Sequence, residues 1–418
     1  MASSIAEFVM HHPLFCHHNH HRSFAEFDKG RPEYDFRSLL GYAEADLVTA
    51  AGARPPSWTH ETERMAALWP SIRTTGYGRA VMLACSELFR LDYAPENFTA
   101  ITEALQASLA GKSAAEVYDD HVREKAGTRW VLQDGGAFSH DSFPAYYRFT
   151  WRMDELFAMT DRGPIQQLEA ATETDIGTLD QLVEALNAGI TRTRQSIPVA
   201  ALKIGMAYER ELAVGQPSRR EAASAFDLVC GRGASSARRR TIREKQTRPL
   251  SDYLLHSLFQ RADEEDLPVQ IHTGYLAGNW GALMQTRASL LIPVFERYRR
   301  VRFDIFHGSW PWTSELGAIA KSYPNVYPDL CWAWAMNPEA SERALSEWLD
   351  AVPHTKIFAY GADTNFPWCD VGYAAQARLG IAHVLERKVQ AGHYSSATAE
   401  EVAEAIMLRN GEVFFGLA

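Results

Sequence analysis

Alternating histidines near the start of the chain have the spacing of a chelating pair. Within FCHHNHH, residues 15–21, His18 and His20 form a His-x-His motif. If this segment is a strand, successive side chains point to opposite faces, so His18 and His20 face one way while His17 and His21 face another. Two neutral imidazoles on one face can bind a single metal ion. A purification tag or a disordered metal-binding tract would also be rich in histidine, but this run is interrupted by asparagine and follows the apolar PLF.

Three further residues that can bind a metal ion each stand at the end of an apolar run. His272 follows PVQI, His307 follows FDIF, and Asp363 ends KIFAYGAD. Each has a plainer interpretation alone: a histidine at a strand end is often only a hydrogen-bonded polar residue, and Asp363 could cap a helix. In a barrel of parallel strands, however, all the carboxyl ends meet on one face. Together with the His-x-His pair, the set predicts a metal site whose imidazole and carboxylate ligands suit zinc, manganese or iron.

The elements that must position these residues are apolar runs separated by helical patterns. In the second half of the chain, successive runs begin roughly 25 to 35 residues apart, the length of a βαβ unit. The alternation predicts a parallel sheet, and the number of runs predicts an α/β fold of the (β/α)8 TIM barrel type. A doubly wound sheet is the alternative, but no glycine-rich phosphate-binding sequence follows any run. The eight predicted strands are 13–20, 128–136, 146–151, 198–205, 267–274, 301–308, 325–332 and 356–363.

A long segment of helical pattern separates the first two predicted strands. At about a hundred residues it is too long for a loop that joins a strand to a helix. We interpret residues 23–125 as a mainly helical insertion that emerges from the carboxyl end of the first strand and caps the mouth of the barrel. Residues 1–22 and 126–418 would then form the metal-dependent barrel itself.

Composition limits the partners and the compartment. The net charge of -10 provides no basic field for a nucleic acid, and we expect the basic stretch 232–248 to be a solvated loop and helix face. The five cysteines are scattered without a CxxC pair, which predicts reduced thiols and a cytoplasmic location. No signal peptide or membrane-spanning run stands out. We expect a small-molecule substrate, no nucleic-acid or membrane partner, and a homo-oligomer or association with a homologous subunit.

These motifs together resemble the amidohydrolase superfamily, and more closely its amidohydrolase-2 branch, which includes uronate isomerases and decarboxylases. The resemblance rests on CHHNHH, PVQIHTG, FDIFHGSWPW and YGAD, spans the chain from residue 14, and is strongest from 267 to 417. The family often has aspartate two residues before the first ligand, where this chain has Cys16. The resemblance implies that four residues bind the principal metal ion and that a fifth, His307, binds a second ion or contacts the reacting group. The four implied ligands are His18, His20, His272 and Asp363.

Lys203, in LKIGMAY, occupies the position on the fourth strand where many amidohydrolases have a lysine. Three interpretations remain open. The lysine could be carboxylated and bridge two metal ions, it could stay protonated and bind an anionic substrate, or it could form an ion pair in the core. The first implies two ions with His307 as a ligand, and the second implies a single ion, so we expect one or two ions per chain.

The resemblance and the ligand types imply a metal-dependent enzyme. We expect hydrolysis of a C–N or ester bond in a small polar or carboxylated substrate, with water activated by zinc or, alternatively, manganese or iron. Asp363 would move the proton, His272 or His307 would stabilise the oxyanion, and Lys203 would assist. The alternatives are a decarboxylase or sugar-acid isomerase, an iron-dependent oxygenase, and a catalytically silent barrel that partners an active homologue. Weaker candidates for the substrate pocket are Tyr208, Arg152, Trp310, Trp312, Trp332, Trp334 and the segment 73–79.

Overall fold

The core of the fold is a sheet of parallel strands that pair in chain order, β1 to β7. The structure is a computed structural model and describes residues 4–135, 142–231 and 243–418, so 232–242 of the predicted basic stretch lie outside the described residues. The strands are mostly buried on both faces, as expected for a parallel sheet covered by helices. They are β1 Leu14–Asn19, β2 Thr128–Gln133, β3 Tyr147–Arg152, β4 Val199–Ile204, β5 Val269–Ile271, β6 Phe303–Ile305 and β7 Val326–Pro328.

The predicted eighth strand, 356–363, is not a regular strand, although it fills the gap between β7 and β1. Its one ladder contact is an isolated bridge between Asp329 and Phe358. Phe358 N nevertheless donates to Pro328 O at 3.1 Å, and Asp363 N donates to His18 O at 2.9 Å. Other amides of the segment bond outside the sheet, since Ala359 N donates to a helical carbonyl at 3.0 Å. The α/β barrel prediction is therefore confirmed, with the correction that its last strand is an irregular closing segment.

Helices surround this sheet. Before β2 they are α1 Ser4–His11, α2 Phe24–Gly30, α3 Ala43–Ala51, α4 Glu61–Ile72, α5 Gly76–Phe89, α6 Phe98–Leu109 and α7 Ala114–Tyr118. After β3 they are α8 Gly163–Thr172, α9 Leu179–Ser196, α10 Arg219–Val229, α11 Glu244–Glu264, α12 Ile292–Arg297, α13 Thr313–Ser322, α14 Ala333–Met336, α15 Pro338–Ala351, α16 Pro367–Gln390, α17 Ser396–Glu404 and α18 Asn410–Phe414. In the part of the chain that the structure describes, none of them is both long and apolar enough to cross a membrane.

The helices between β1 and β2 pack on the barrel through α5 and α16. A Cβ atom on Gly372 of α16 would lie 2.1 Å from Ala80 O of α5, so glycine allows these two helices to approach closely. The region also contacts loops that follow the strands: the ring centres of Tyr42 and Trp332 lie 4.8 Å apart. Asn279 Nδ2 donates to Ala45 O at 3.2 Å. The division into a barrel and a capping insertion at 23–125 stays a prediction.

Candidate metal centre

His18, His20 and Asp363 meet where β1 ends against the closing segment. His18 Nε2 and His20 Nε2 lie 3.2 Å apart, so the His-x-His pair does point to one place. Asp363 Oδ1 lies 3.0 Å from His20 Nε2 and 3.8 Å from His18 Nε2. These three ligand atoms are close enough to bind one cation.

A second pair of histidines lies on the other side of the same carboxylate. His307 follows β6 and places Nε2 3.6 Å from Asp363 Oδ2. His272 follows β5, and its Nδ1 lies 3.1 Å from His307 Nε2. Asp363 therefore stands between two histidine pairs, with one oxygen atom towards each.

The hydrogen bonds of the second pair indicate a cation. His307 Nδ1 lies 3.0 Å from Cys331 O, and His272 Nε2 lies 2.9 Å from Tyr275 O. A carbonyl oxygen only accepts, so each ring carries its proton on that nitrogen. Burial lowers the pKa of both rings, to about 4 for His307 and well below the usual value for His272, which keeps them neutral. The two nitrogens that face each other then both present lone pairs, the arrangement that a metal ion would satisfy.

The first pair is electrostatically asymmetric. Burial lowers the pKa of His18 well below its usual value. Burial alone would also lower the pKa of His20, but Asp363 and Asp134 outweigh it and the pKa is raised. Burial would raise the pKa of Asp363, yet its contact with His20 outweighs this and the pKa is lowered, so the group is a carboxylate. His18 thus offers a neutral imidazole and Asp363 an anionic oxygen, a combination that fits a divalent cation, and such a cation would replace the proton that the carboxylates favour on His20.

The ring of His18 lacks the hydrogen bond from its second nitrogen that metal-binding histidines usually make. Its Nδ1 is buried and has no hydrogen-bond partner among the residues that the structure describes. Cys16, which stands where the family often has aspartate, directs Sγ to the backbone oxygen of His18 at 3.3 Å and not to the ring.

Lys203 ends β4 with its ammonium group inside the barrel. Nζ is buried, lies 3.6 Å from the centre of the Phe306 ring, and finds no hydrogen-bond partner in the described ranges. Burial lowers the pKa of Lys203 to about 8, although Asp134 opposes the shift. The lack of a partner argues against the core ion pair among the three interpretations.

Two carboxylates absent from the sequence prediction, Asp134 and Asp154, also reach the site. Arg152 binds Asp134 and Asp154 at once, so its charge is already neutralised. Asp134 Oδ2 lies 3.4 Å from His20 Nδ1. Asp134 directly follows β2, and the strand-end rule that selected the histidines would have found it.

A cavity of about 710 Å³ opens beside these groups. Of the weaker aromatic candidates, Tyr208 lines it, with its ring centre 4.8 Å from that of His272. Trp332 packs on His307, with 5.1 Å between the ring centres, and does not line the cavity. Trp334 Nε1 donates a hydrogen bond to Ala359 O. Trp310 and Trp312 contact other side chains, and the segment 73–79 contributes the cap and start of α5.

Asn19 links the two sides of the centre through its amide. Its Oδ1 accepts from Thr364 N at 2.8 Å and from His20 N at 3.2 Å. Its Nδ2 donates to Asp370 Oδ2 at 3.1 Å. His21 points the same way as Asn19 and places Nε2 3.0 Å from Asp370 Oδ1, away from the candidate ligands His18 and His20, as the alternation predicts. The side-chain amide of Asn19 therefore holds the backbone of His20 and of Thr364, the residue after Asp363.

We expect Asn19→Ala to weaken metal affinity about 10–100-fold, because supporting groups of this kind typically contribute that much. The change leaves Thr364 N unpaired at a cost of about 1–3 kcal/mol, so Tm should also fall. Competition with a chromogenic chelator measures the affinity. Asn97→Ala, which removes only an exposed bond to Asp92 O, is the control. Unchanged affinity in Asn19→Ala would exclude the positioning role.

Sequence comparison covers mainly the second half of the chain. A family model described as amidohydrolase matches residues 222–417, which include His272, His307 and Asp363. The curated protein fluG of Emericella nidulans is 30% identical over 178 residues, 41% of this chain and 20% of that protein. The chain thus spans about a fifth of the length of the curated relative that it matches.

Solved structures match the fold over nearly the whole chain. Uronate isomerase from Thermotoga maritima matches with a TM-score of 0.78 at 14% identity and covers 98% of this chain and 96% of that chain. Glucuronate isomerase from Caulobacter crescentus matches with a TM-score of 0.77 at 16% identity and covers 99% and 93%. At these identities the similarity is one of fold.

Proposed function

Because this chain is an enzyme of the amidohydrolase superfamily, in its amidohydrolase-2 branch, we propose that it is a metal-dependent hydrolase of a C–N or ester bond in a small polar or carboxylated substrate. One observation carries the proposal: two histidine pairs flank the single carboxylate of Asp363 beside a cavity of about 710 Å³. The cavity is large enough for a small-molecule substrate.

The residues of the site have separate roles in metal binding and proton transfer. His18 and His20 would hold one ion with Asp363 Oδ1. His272, which the resemblance groups with these ligands, lies against His307, and these two histidines would hold another ion beside Oδ2. A bound metal ion would supply an activated water molecule and polarise a substrate oxygen. Asp363 accepts the proton of the attacking water and passes it to the leaving group. Zinc is the cation we expect first, with manganese or iron as alternatives that the same ligands accept.

We propose that Lys203 is carboxylated, in which form it would offer anionic oxygen ligands to metal ions held by the two ligand sets. Carboxylation joins the neutral amine to carbon dioxide and releases a proton, so it needs an unprotonated lysine. Burial lowers the pKa of Lys203 to about 8, and a fraction of the side chain is therefore neutral near pH 7. Its Nζ also has no hydrogen-bond partner among the described residues that would compete.

We expect Lys203→Ala to lose one bound ion and roughly 100-fold or more in activity, since a metal-derived contribution of several kcal/mol depends on it. Acetate or propionate should restore part of both, because a small carboxylate can fill the space of the carbamate. Lys356→Ala is a matched control, since burial also lowers the pKa of Lys356 to about 8 but its Nζ donates to Ala320 O and Tyr323 O. Rescue by alkylamines and not by carboxylates would show that the lysine acts as an ammonium group.

A second candidate function is isomerisation of a sugar acid, which the full-length fold match to uronate isomerases favours. Incubation of the metal-loaded protein with N-acyl amino acids, lactones and uronates separates the two. Hydrolysis adds the mass of one water to the products, whereas isomerisation leaves the mass unchanged. Turnover of uronates alone, without any hydrolysis in the panel, would overturn the hydrolase proposal.

A further inference from the structure

A second group of polar side chains lies deeper in the barrel. His17 belongs to β1, Gln270 to β5 and Asp304 to β6, while Asp329 directly follows β7. His17 is 1% exposed and the other three residues are 0% exposed. We call these four residues the interior cluster. Ligand atoms of His17, Asp304 and Asp329 lie within 4.8 Å of one another.

Hydrogen bonding inside the interior cluster is incomplete. Gln270 Nε2 donates to His17 O at 2.9 Å and to Asp304 Oδ2 at 2.9 Å. Both partners accept hydrogen bonds, so the orientation of the amide is fixed and its Oε1 receives no hydrogen bond. Asp329 Oδ1 accepts from Cys331 N at 2.8 Å. Within the described parts of the chain, His17 Nδ1 and Gln270 Oε1 are buried without a partner. Asp304 Oδ1 and Asp329 Oδ2 also lack a donor unless their carboxyl groups, which lie in hydrogen-bond contact, share a proton.

The charges make this arrangement costly unless something binds there. Two neighbouring carboxyl groups out of contact with water must lose their charge or meet a positive one. Among the described residues, no lysine or arginine forms an ion pair with either carboxyl group, although the charge of the buried Lys203 acts on both. The ring of His17 approaches Asp329, with Nδ1 3.8 Å from Oδ2, but burial lowers the pKa of His17 to about 3, so the ring is neutral. A proton shared by the carboxyl groups would satisfy only their own oxygen atoms. It would leave His17 Nδ1 and Gln270 Oε1 without partners.

We propose that the interior cluster binds a divalent metal ion, separate from the candidate metal centre at the strand ends. A cation can accept lone pairs from an imidazole, an amide oxygen and two carboxylates together, and it neutralises the carboxylates. Mixed nitrogen and oxygen ligands suit zinc, manganese or iron(II). The ion would connect β1, β5, β6 and the end of β7, at a position deeper in the barrel than His18 and His20. This inference does not depend on the proposed hydrolase activity.

Metal analysis of the full-length protein, purified from medium supplemented with zinc, tests the proposal. The double variant His18→Ala/His307→Ala removes ligands from the strand-end centre and should retain about one ion per chain, because the interior cluster is intact. Adding Asp329→Asn should remove that ion and lower Tm. Adding Asp252→Asn instead, a buried carboxylate that pairs with Arg210, should leave the ion in place. No zinc in the double variant would overturn the proposal.

Two further measurements keep the test decisive if the triple variant does not fold. Anomalous scattering from crystals of the zinc-loaded natural protein should show a peak among His17, Asp304 and Asp329, and a map with peaks only beside Asp363 would overturn the proposal. Asp304→Asn alone should also lose one ion relative to the natural protein. If the cluster holds only a shared proton, that substitution would leave the metal content unchanged and Tm equal or higher, since a neutral amide is easier to bury than a carboxylate.

Discussion

Replacing Asp363 by asparagine is expected to lower kcat/KM by about 1000-fold or more, the combined size of a lost proton-transfer group and a weakened metal site. The carboxylate contacts histidine nitrogens through both oxygen atoms, at 3.0 Å from His20 and 3.6 Å from His307. An amide has the same shape but carries no charge and cannot accept the proton. Metal content should fall together with activity, and it can be measured before any substrate is identified.

The fold should survive this substitution, which makes the result interpretable. Asp363 has a φ of 52°, in the left-handed region that asparagine tolerates well. A circular dichroism spectrum close to that of the natural protein, and a Tm close to that of the metal-free natural protein, are therefore expected. Asp180→Asn, an exposed carboxylate paired with Arg219, is the control for the chemical change. An Asp363→Asn protein that keeps its metal ions and its turnover would contradict the assignment of the site.

Removal of the metal ions is expected to abolish turnover, with a loss of about 1000-fold or more, because the ion contributes several kcal/mol to the transition state. A chelator should reach the strand-end centre through the cavity beside His18 and His20. Separate addition of zinc, manganese and iron to the stripped protein should restore activity with one or more of them. His18→Ala should not recover under the same conditions, whereas His383→Ala, which changes a histidine side chain that is 56% exposed, should recover fully.

The identity of the restoring metal separates the alternative reactions. Recovery with zinc and no consumption of oxygen supports the hydrolase and excludes the oxygenase. Recovery only with iron, with oxygen uptake during turnover, would contradict the hydrolase. A chain that binds no metal under any of these conditions would be left with the silent structural role.

Local rules explain why part of the site could be predicted from the sequence. Alternation along a strand placed His18 with His20 and directed His21 elsewhere, and the common direction of parallel strands brought His272, His307 and Asp363 to the same face. The fold class followed from the same alternation of strands and helices.

Other features depend on contacts between segments distant in the chain. Arg152, the last residue of β3, pairs with Asp134 just after β2 as well as with Asp154 two residues further along the chain, and the contact between the two strand ends is not encoded by any spacing in the sequence. The closing segment lacks a regular ladder because some of its amides donate to atoms outside the sheet. Ala359 N donates to Ile406 O in a helix, and Ala362 N donates to the Cys16 side chain. Cytoplasmic location and oligomeric state depend on the surface and the cell, and both stay predictions.

The left-handed turn that contains His307 lowers the stability of the fold in order to place a candidate metal ligand. His307 has a φ of 61°, a conformation that costs about 1–2 kcal/mol for most residues with a Cβ atom, whereas Asp363, with a φ of 52°, is of a residue type that adopts this region more readily. Selection for heat resistance alone would therefore favour glycine at His307 and remove a candidate metal ligand. Ser309 lies in the same turn with a φ of 49° and is not one of the candidate ligands. Glycine at Ser309 would relieve the turn without removing a candidate ligand, but it would also remove the hydrogen bond that Ser309 Oγ accepts from the buried Ala288 N at 3.3 Å, so the left-handed turn leaves little stability to gain.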